Sequence, residues 1–257
     1  MRISKNRLIV LGLQIASILA FLIIWELSIK FRILPPALFP TPVQLVTNFL
    51  SVVNANKIYN QVEIGMLITL VTFGASVGVG LLLGVVFGSS SYLKQVSESY
   101  LVLLHAIPKS IFLPALFIAL GIGFRFEFFY AFLSAFVIMT LNIMYGVISV
   151  PNSLVTTARA LGASTGSIYL KVVIPALMPT FLASARLTFG VAYGGTIVAQ
   201  EFVGQTGLGY LVVEYSSIFA VIPLYVIVVI ASLIGIVGFA LLMALERYLT
   251  RWNRPTF

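Results

Sequence analysis

Cysteine is absent from the 257 residues, histidine occurs once, and charged side chains make up only 9% of the chain. Without cysteine, disulfides, thiolate metal sites and cysteine nucleophiles are excluded. The single His105 has no partner spacing typical of a metal site or of a serine–base pair, so we expect neither a metal nor an enzyme. No Gly-x-x-x-x-Gly-Lys-Ser/Thr motif occurs. The sequence therefore predicts no ATP site and no cofactor in this chain.

Apolar residues are abundant instead: 60% of the chain is hydrophobic and its mean hydropathy is +1.12. Soluble domains carry about 25% charged residues, and a chain of this size cannot bury so much apolar surface in one core. Lipid is therefore the expected surroundings. The net charge of +8 suits the Lys and Arg enrichment of loops on the inner side of a membrane, and we expect no nucleic-acid partner.

Six stretches have the length and apolarity of membrane spans, which need about 20 residues. They cover residues 8–29, 64–87, 100–121, 128–147, 172–199 and 222–245 of a single membrane domain, 1–257. A proline-rich external loop with one short helix, Val43 to Val53, follows the first span. A polar turn, Ser89 to Glu98, precedes the third, which Pro108 and Pro114 should kink. A glycine-rich connection, Glu201 to Ser217, follows the fifth.

Glycines recur in the second span, with three four-residue spacings among positions 74, 78, 80, 84 and 88. Small residues at such spacing let membrane helices approach closely, where lipid supplies no hydrophobic drive. Glycine merely tolerated in a span is the alternative. We expect a glycine face that packs against another helix.

The distribution of basic residues predicts the orientation. Six spans put both termini on one side, and placing them in the cytoplasm assigns nine of the 15 Lys and Arg to the inside and four to the outside. The loop 150–171 is then cytoplasmic. We expect a multi-pass protein of the bacterial cytoplasmic (inner) membrane with both termini inside.

The loop 150–171 predicts two short helices that meet at a glycine. Asn152 or Ser153 can cap the first helix, which ends at Gly162, and Ser164 can cap the second. The pair carries few charges, so we expect it to dock into a groove of another protein rather than remain solvated.

This loop resembles the signature of ABC importer permeases: Glu-Ala-Ala, three residues, Gly, nine residues, Ile, one residue, Leu-Pro. Thr156-Thr157-Ala158 stands at the first triplet, followed by Gly162, Val172 and Ile174-Pro175 with full agreement in spacing. Thr156 replaces the usual acidic residue and Thr157 the first alanine. The resemblance makes Thr156, Thr157, Ala158, Arg159, Gly162, Val172, Ile174 and Pro175 the candidate ATPase-coupling residues.

Other segments resemble the nitrate, sulfonate, taurine and bicarbonate branch of these permeases. They are Leu34–Pro42, Ala106–Leu116, Ala158–Ser164, Ala199–Gly204 and Gly207–Leu211. The resemblance implies an all-α, type I importer permease with a coupling helix-turn-helix between spans 4 and 5. It also implies a second copy of the chain in a homodimer, a cytoplasmic ATPase dimer that binds Mg-ATP, and an extracytoplasmic substrate-binding protein.

Ionisable residues within spans are candidate functional groups by default. Arg186, in the fifth span, either faces a translocation path or makes a structural hydrogen bond to a neighbouring helix. Lys109 either lines the path or extends to the membrane surface. Glu201 could take part in gating or contact the binding protein, whereas His105 is expected to be structural or exposed.

Two other classes compete with the importer. An ion-gradient-driven secondary transporter should show inverted repeats and mid-span carboxylates, and we find neither. An intramembrane enzyme needs a base beside its nucleophile, and His105 is on a different span from any candidate serine nucleophile. The expected substrate is a small anion such as a sulfonate, nitrate or bicarbonate, or a small vitamin precursor.

Overall fold

The computed structural model describes residues 5–55 and 58–250, and all regular structure in them is helical. Long helices satisfy every backbone hydrogen bond within one segment, which lipid requires. This confirms the predicted all-α membrane fold. The helices are α1 (Lys5–Lys30), α2 (Pro42–Ala55), α3 (Ile58–Gly88), α4 (Ser91–Ala106), α5 (Leu113–Leu120), α6 (Phe124–Ser149), α7 (Asn152–Ala160), α8 (Thr165–Ile168), α9 (Ile174–Val203), α10 (Leu208–Ser217) and α11 (Val221–Leu249).

Five helical segments of the described chain are long and apolar enough to cross a membrane: Ile9–Lys30, Ile58–Gly88, Phe124–Ser149, Thr165–Val203 and Val221–Leu249. A sixth crossing requires α4 to be combined with the segment Lys109–Leu120, from which it is bent by 80°. The sequence predicted this third span as one kinked helix.

The break in the third span lies at Pro108. Ile107, the residue before it, is extended at φ −67° and ψ 127°, since a following proline disfavours the helical region. Pro114 does not kink the chain: it lies in the first turn of α5, where no partner for its missing N–H is needed.

The chain divides into two compact units. The first consists of the residues up to Ile58 and of Leu211–Ile230. Within it, α2 is the short helix predicted after the first span. Its start is fixed by reciprocal bonds: the Thr41 N–H donates to Oε1 of Gln44 (2.9 Å), and the Gln44 N–H donates to Oγ1 of Thr41 (3.2 Å). Phe39 packs edge-on against Tyr225, with ring centroids 6.4 Å apart.

The second unit holds Tyr59–Tyr210 and the chain from Ala231 onward. Its centre is α6, on which Met139, Ile143 and Met144 are fully buried. The glycine face of α3 packs there: a Cβ added to Gly80 or Gly84 would lie 2.6 Å from the Cβ of Met139 or Ile143. A Cβ on Gly78 would meet nothing within 4 Å. Three of the five glycines, 80, 84 and 88, thus serve the predicted packing.

Two predicted connections are helical. The polar turn Ser89–Glu98 is wrong beyond Ser90, because α4 begins at Ser91 and its polar residues form one side of an amphipathic helix. Most of Glu201–Ser217 is also helical: Glu201 lies in the last turn of α9 and α10 begins at Leu208. Only the residues between them form a turn. Lys57 and the basic tail 251–257 lie outside the described residues.

Candidate functional site

The loop after α6 folds as the predicted pair of helices meeting at a glycine. Gly162 has φ +82°. Its N–H donates to the Arg159 carbonyl and that of Ala163 to the Ala158 carbonyl, both at 3.0 Å. This pair of bonds is the Schellman arrangement that ends a helix with a residue in the left-handed region. The expected turn at Gly162 is therefore present.

The start of α7 differs from the prediction. Asn152 is the first helical residue, Pro151 precedes it, and no side chain caps the first turn. The ring of Pro151 fixes φ at −58° immediately before the helix, so the chain direction there is set without a hydrogen-bonding side chain. The cap on the second helix is present, since Oγ of Ser164 accepts from the Ser167 N–H at 3.4 Å.

Helix α7 has two unlike faces. Val155 and Ala158 pack against the buried cluster around Met139 and Ile143. Leu154 and Leu161, seven residues apart, lie next to Ala158 on the helix surface and are 47% and 83% exposed. Two exposed leucines on one side of a loop helix, outside the apolar segments, can form an apolar contact with a partner protein.

Thr156, at the position of the usual acidic residue, bonds to its own helix. Its hydroxyl donates to the Asn152 carbonyl at 2.9 Å and to the Ser153 carbonyl at 3.1 Å. Thr157 and Arg159 are exposed. The substitution therefore replaces an outward carboxylate with a hydroxyl that is satisfied locally.

The second loop helix continues into the fifth span without a break. After α8, a π-helical turn covers Tyr169–Val173 and passes directly into α9. Val172 packs against the cluster that buries Ile168, Val173 and Leu177, whereas Ile174 is 42% exposed. Pro175 directly follows the π-helical turn and, having no N–H, donates no backbone bond to the preceding turn of the helix. Loop and span are thus one helical segment, Thr165–Val203, of 39 residues.

Arg186 forms an ion pair with Glu246 of α11, with its Nη1 3.3 Å from Oε2. Its guanidinium also lies over the Phe239 ring, 5.0 Å from the centroid. Glu246 is three residues from the end of α11, so Arg186 lies toward that helix end rather than deep in an apolar segment. This compensated pair favours the structural interpretation of Arg186 over a role in the path.

Lys109 and Glu201 lie apart from the loop. The ammonium of Lys109 donates to the carbonyls of Leu104 (2.5 Å) and His105 (2.7 Å), which closes the carboxyl end of α4 at the break. His105 itself is exposed. Glu201 is half-buried in the last turn of α9. The structure does not bring Lys109, Arg186 and Glu201 together.

The sequence analysis missed a buried polar cluster around Gln200. Its Nε2 donates to Oε2 of Glu127 (3.1 Å), and its Oε1 accepts from the Gly209 N–H (3.3 Å). Both side chains are buried, and Gln61 accepts from the Gly207 N–H at 2.6 Å. The glycine-rich turn after α9 closes over Gln200, since an added Cβ on Gly207 or Gly209 would overlap its side chain. The glycines 204, 207 and 209 were the available signal.

A second missed feature is a shallow groove between α6 and α9 of about 450 Å³. Its lining includes the polar residues Asn142, Tyr145, Ser149, Thr180 and Ser184, and no charged side chain among the described residues. The two helices pack closely at Gly146, where an added Cβ would lie 2.9 Å from Thr180, and the groove runs beside this contact. A polar strip on otherwise apolar spans can contact small polar solutes.

Several apolar spans, a helical loop that runs into α9 and a polar strip along α6 and α9 are typical of a membrane permease. The chain belongs to the family of binding-protein-dependent transport system inner membrane components, whose model matches residues 76–254. Members of this family are transport permeases of the inner membrane, as the sequence resemblance predicted.

Relatives of known designation agree. The chain is 25% identical to the taurine transport system permease protein TauC of Escherichia coli K12 over 250 residues, 94% of this chain and 90% of TauC. It is 24% identical to the formylaminopyrimidine transport permease protein ThiX of Halalkalibacterium halodurans, over 92% of this chain and 94% of ThiX. Among solved structures, an inward-facing MetNI methionine ABC transporter matches with a TM-score of 0.56 and 21% identity, covering 73% of this chain and 95% of that one. That likeness shows the fold.

Proposed function

We propose that this permease is driven by a cytoplasmic ATPase, which it contacts through the loop 150–171. The observation that carries the proposal is the face of α7 formed by Leu154 and Leu161, which stands exposed on a loop with fixed helical ends. The same loop is continuous with α9. A displacement of the loop by the ATPase would therefore reach the fifth span through the π-helical turn Tyr169–Val173.

The proposed assembly has four kinds of component. An ATPase dimer binds Mg-ATP on the inner side, and a substrate-binding protein delivers solute on the outer side. The permease pairs with a second copy of itself, and both of its termini lie in the cytoplasm. Thr157, Ala158, Arg159 and Gly162 belong to the coupling loop in this proposal, together with Val172, Ile174 and Pro175, which connect it to the fifth span.

We assign the translocation path to the polar groove of α6 and α9. The Asn142 amide and the Thr180 hydroxyl can donate to a small anion such as a sulfonate, nitrate or bicarbonate, or to a small vitamin precursor, without a fixed charge. The hydroxyls of Tyr145, Ser149 and Ser184 already donate to the Glu98 carboxylate and to backbone carbonyls. TauC and ThiX support these two classes of substrate by their designations. Arg186 and Lys109 are engaged by Glu246 and by backbone carbonyls, so anion selectivity rests on neutral donors. Glu201, beside Gln200, is the candidate gating residue.

Leu161→Asp tests the coupling surface. A carboxylate placed on an 83% exposed side chain leaves the permease folded but puts an unpaired charge into the proposed apolar contact. We expect the ATPase subunit recovered with the affinity-purified permease to fall at least tenfold. Tyr92→Asp is the matched control, because Tyr92 is 75% exposed on α4 and is not on the loop.

Equal ATPase recovery in wild type, Leu161→Asp and Tyr92→Asp contradicts the assignment of the loop. A permease that transports with no ATPase attached, driven by an imposed ion gradient, supports the secondary-transporter alternative instead.

A further inference from the structure

A cavity of about 600 Å³ lies beside the loop, on the side of α7 away from Leu154 and Leu161. Six elements line it: the turn between α3 and α4, the start of α4, the end of α6, helices α7 and α8, and the π-helical turn Tyr169–Val173. The volume is that of a small-molecule site, well above the ~30 Å³ share of one water. Because it faces α4 and not the exposed leucines, the docking surface and the cavity are separate features of the loop.

The lining of the cavity is basic and rich in hydrogen-bond donors. Lys94 comes from α4 and Arg159 from α7, and Ser90, Asn152 and Thr165 add neutral polar groups. No Asp or Glu is among the described residues that line it. Two cations facing one cavity without a carboxylate create a local positive potential that a bound anion would neutralise.

The nearby carboxylate of Glu98 does not neutralise the two cations. Glu98, one turn from Lys94, accepts a hydrogen bond from the Tyr145 hydroxyl at 2.9 Å. Its other carboxylate oxygen lies 3.8 Å from the Lys94 ammonium, a distance at which partly exposed pairs contribute little. Arg159 forms no ion pair with any described residue. Lys94 retains donor capacity, and Arg159 is entirely available.

We propose that this cavity is a binding site for a phosphate- or sulfonate-like anion, held by Lys94 and Arg159. A guanidinium can bind two oxygens of such a group side by side, and the ammonium supplies a second charge. The anionic group comes either from a phospholipid headgroup of the adjoining leaflet or from a soluble anion. Its binding ties α4 to α7 and so sets the position of the loop.

The experiment uses the full-length permease without ATPase, in phosphatidylcholine nanodiscs, so that failure of the coupling proposal does not affect it. In the first arm, chloride is replaced stepwise by inorganic phosphate or sulfate at constant ionic strength. The midpoint temperature of thermal unfolding of the permease is measured at each step. In the second arm, nanodiscs containing one third phosphatidylglycerol are used, and native mass spectrometry counts the phosphatidylglycerol retained per chain.

The variants are Lys94→Gln and Arg159→Gln, singly and together, with Lys94→Arg as the variant that keeps the charge. Loss of one charge-assisted contact should weaken binding about tenfold. Lys171→Gln is the matched control, because it removes one cation from the same loop but does not line the cavity. Circular dichroism without added anion checks that each variant is folded.

A saturable phosphate response that weakens in the Gln variants supports the site and a soluble source. Retention of phosphatidylglycerol that is lost in the Gln variants, without a phosphate response, supports the site and a lipid source. No response to either probe in the wild type overturns the proposal. Responses unchanged in the double Gln variant, or reduced as much in Lys171→Gln, overturn it as well.

Discussion

The turn at Gly162 allows the backbone contribution of the loop to be isolated. With φ +82° and nothing within 4 Å of an added Cβ, Gly162→Ala changes only the conformational preference of the chain. An L-residue in the left-handed region costs about 1–2 kcal/mol, which raises the open population of the turn roughly 5- to 30-fold. Asn tolerates this region better than Ala, so Gly162→Asn should be the mildest change. Gly162→Leu adds bulk toward any docked partner.

Trypsin cleavage at Arg159 in the purified permease measures how often the loop opens, because cleavage of a closed helix follows the open population. We expect Gly162→Ala to raise the cleavage rate about 5- to 30-fold and Gly162→Asn to raise it less. ATPase recovery should fall in the order Asn, Ala, Leu. Gly166→Ala is the control: Gly166 also has open space around it but no positive φ, so alanine there should leave cleavage unchanged or slower.

Two results refute this reasoning. Wild-type cleavage in Gly162→Ala shows that the positive φ does not hold the turn closed. Equal loss of ATPase recovery in the Asn and Leu variants, with unchanged cleavage, shows instead that the position tolerates no side chain against the partner.

Three further predictions concern the membrane segments. Gly84→Ala places a Cβ 2.8 Å from the Thr140 carbonyl oxygen and should destabilise the permease by about 1–3 kcal/mol in denaturant titrations. Gly78→Ala is the control and should not destabilise it, because an added Cβ there has open space. Equal effects of the two substitutions would contradict the close contact between Gly84 and α6. Arg186→Ala should destabilise the permease by about 1–3 kcal/mol, because it leaves Glu246 unpaired, and the double variant Arg186→Ala/Glu246→Ala should recover part of that loss in the same titration. Strictly additive effects of the two substitutions would show that the ion pair contributes nothing. Normal stability with lost transport would instead support a role of Arg186 in the translocation path. Reporter fusions after Lys57, Arg159 and Phe257 should read outside, inside and inside, and an external signal at Arg159 would contradict the orientation.

The sequence predicted those features that depend on local chemistry. Apolar length located the long helices, and the turn at Gly162 followed from the preference for glycine after the last residue of a helix. The cap at Ser164 and the close approach of α3 at Gly80 and Gly84 were likewise visible in the order of residues. Each of these features can be recognised from residues that are close together in the sequence.

Features that depend on two distant segments could not be predicted. Arg186 appeared uncompensated because Glu246 lies 60 positions away in the sequence, at the end of another helix. The burial of the Glu127 carboxylate could not be predicted either, because its hydrogen-bond partner Gln200 is 73 positions away in the sequence. The polar start of α4 was taken for a turn, because an amphipathic helix and a polar connection have similar composition when they are short.

Moved as one rigid body, the helical segment Thr165–Val203 would act as a lever with unequal arms. At 1.5 Å per residue its 39 residues extend about 58 Å. One close contact of its far half is at Gly195, where an added Cβ would lie 3.0 Å from the Cα of Ala131. A tilt about that contact has an arm of roughly 45 Å toward Thr165 and roughly 12 Å toward Val203. A shift of about 1 Å at the Val203 end would therefore move the loop end by about 4 Å in the opposite direction, and a small rearrangement there would arrive at the loop enlarged.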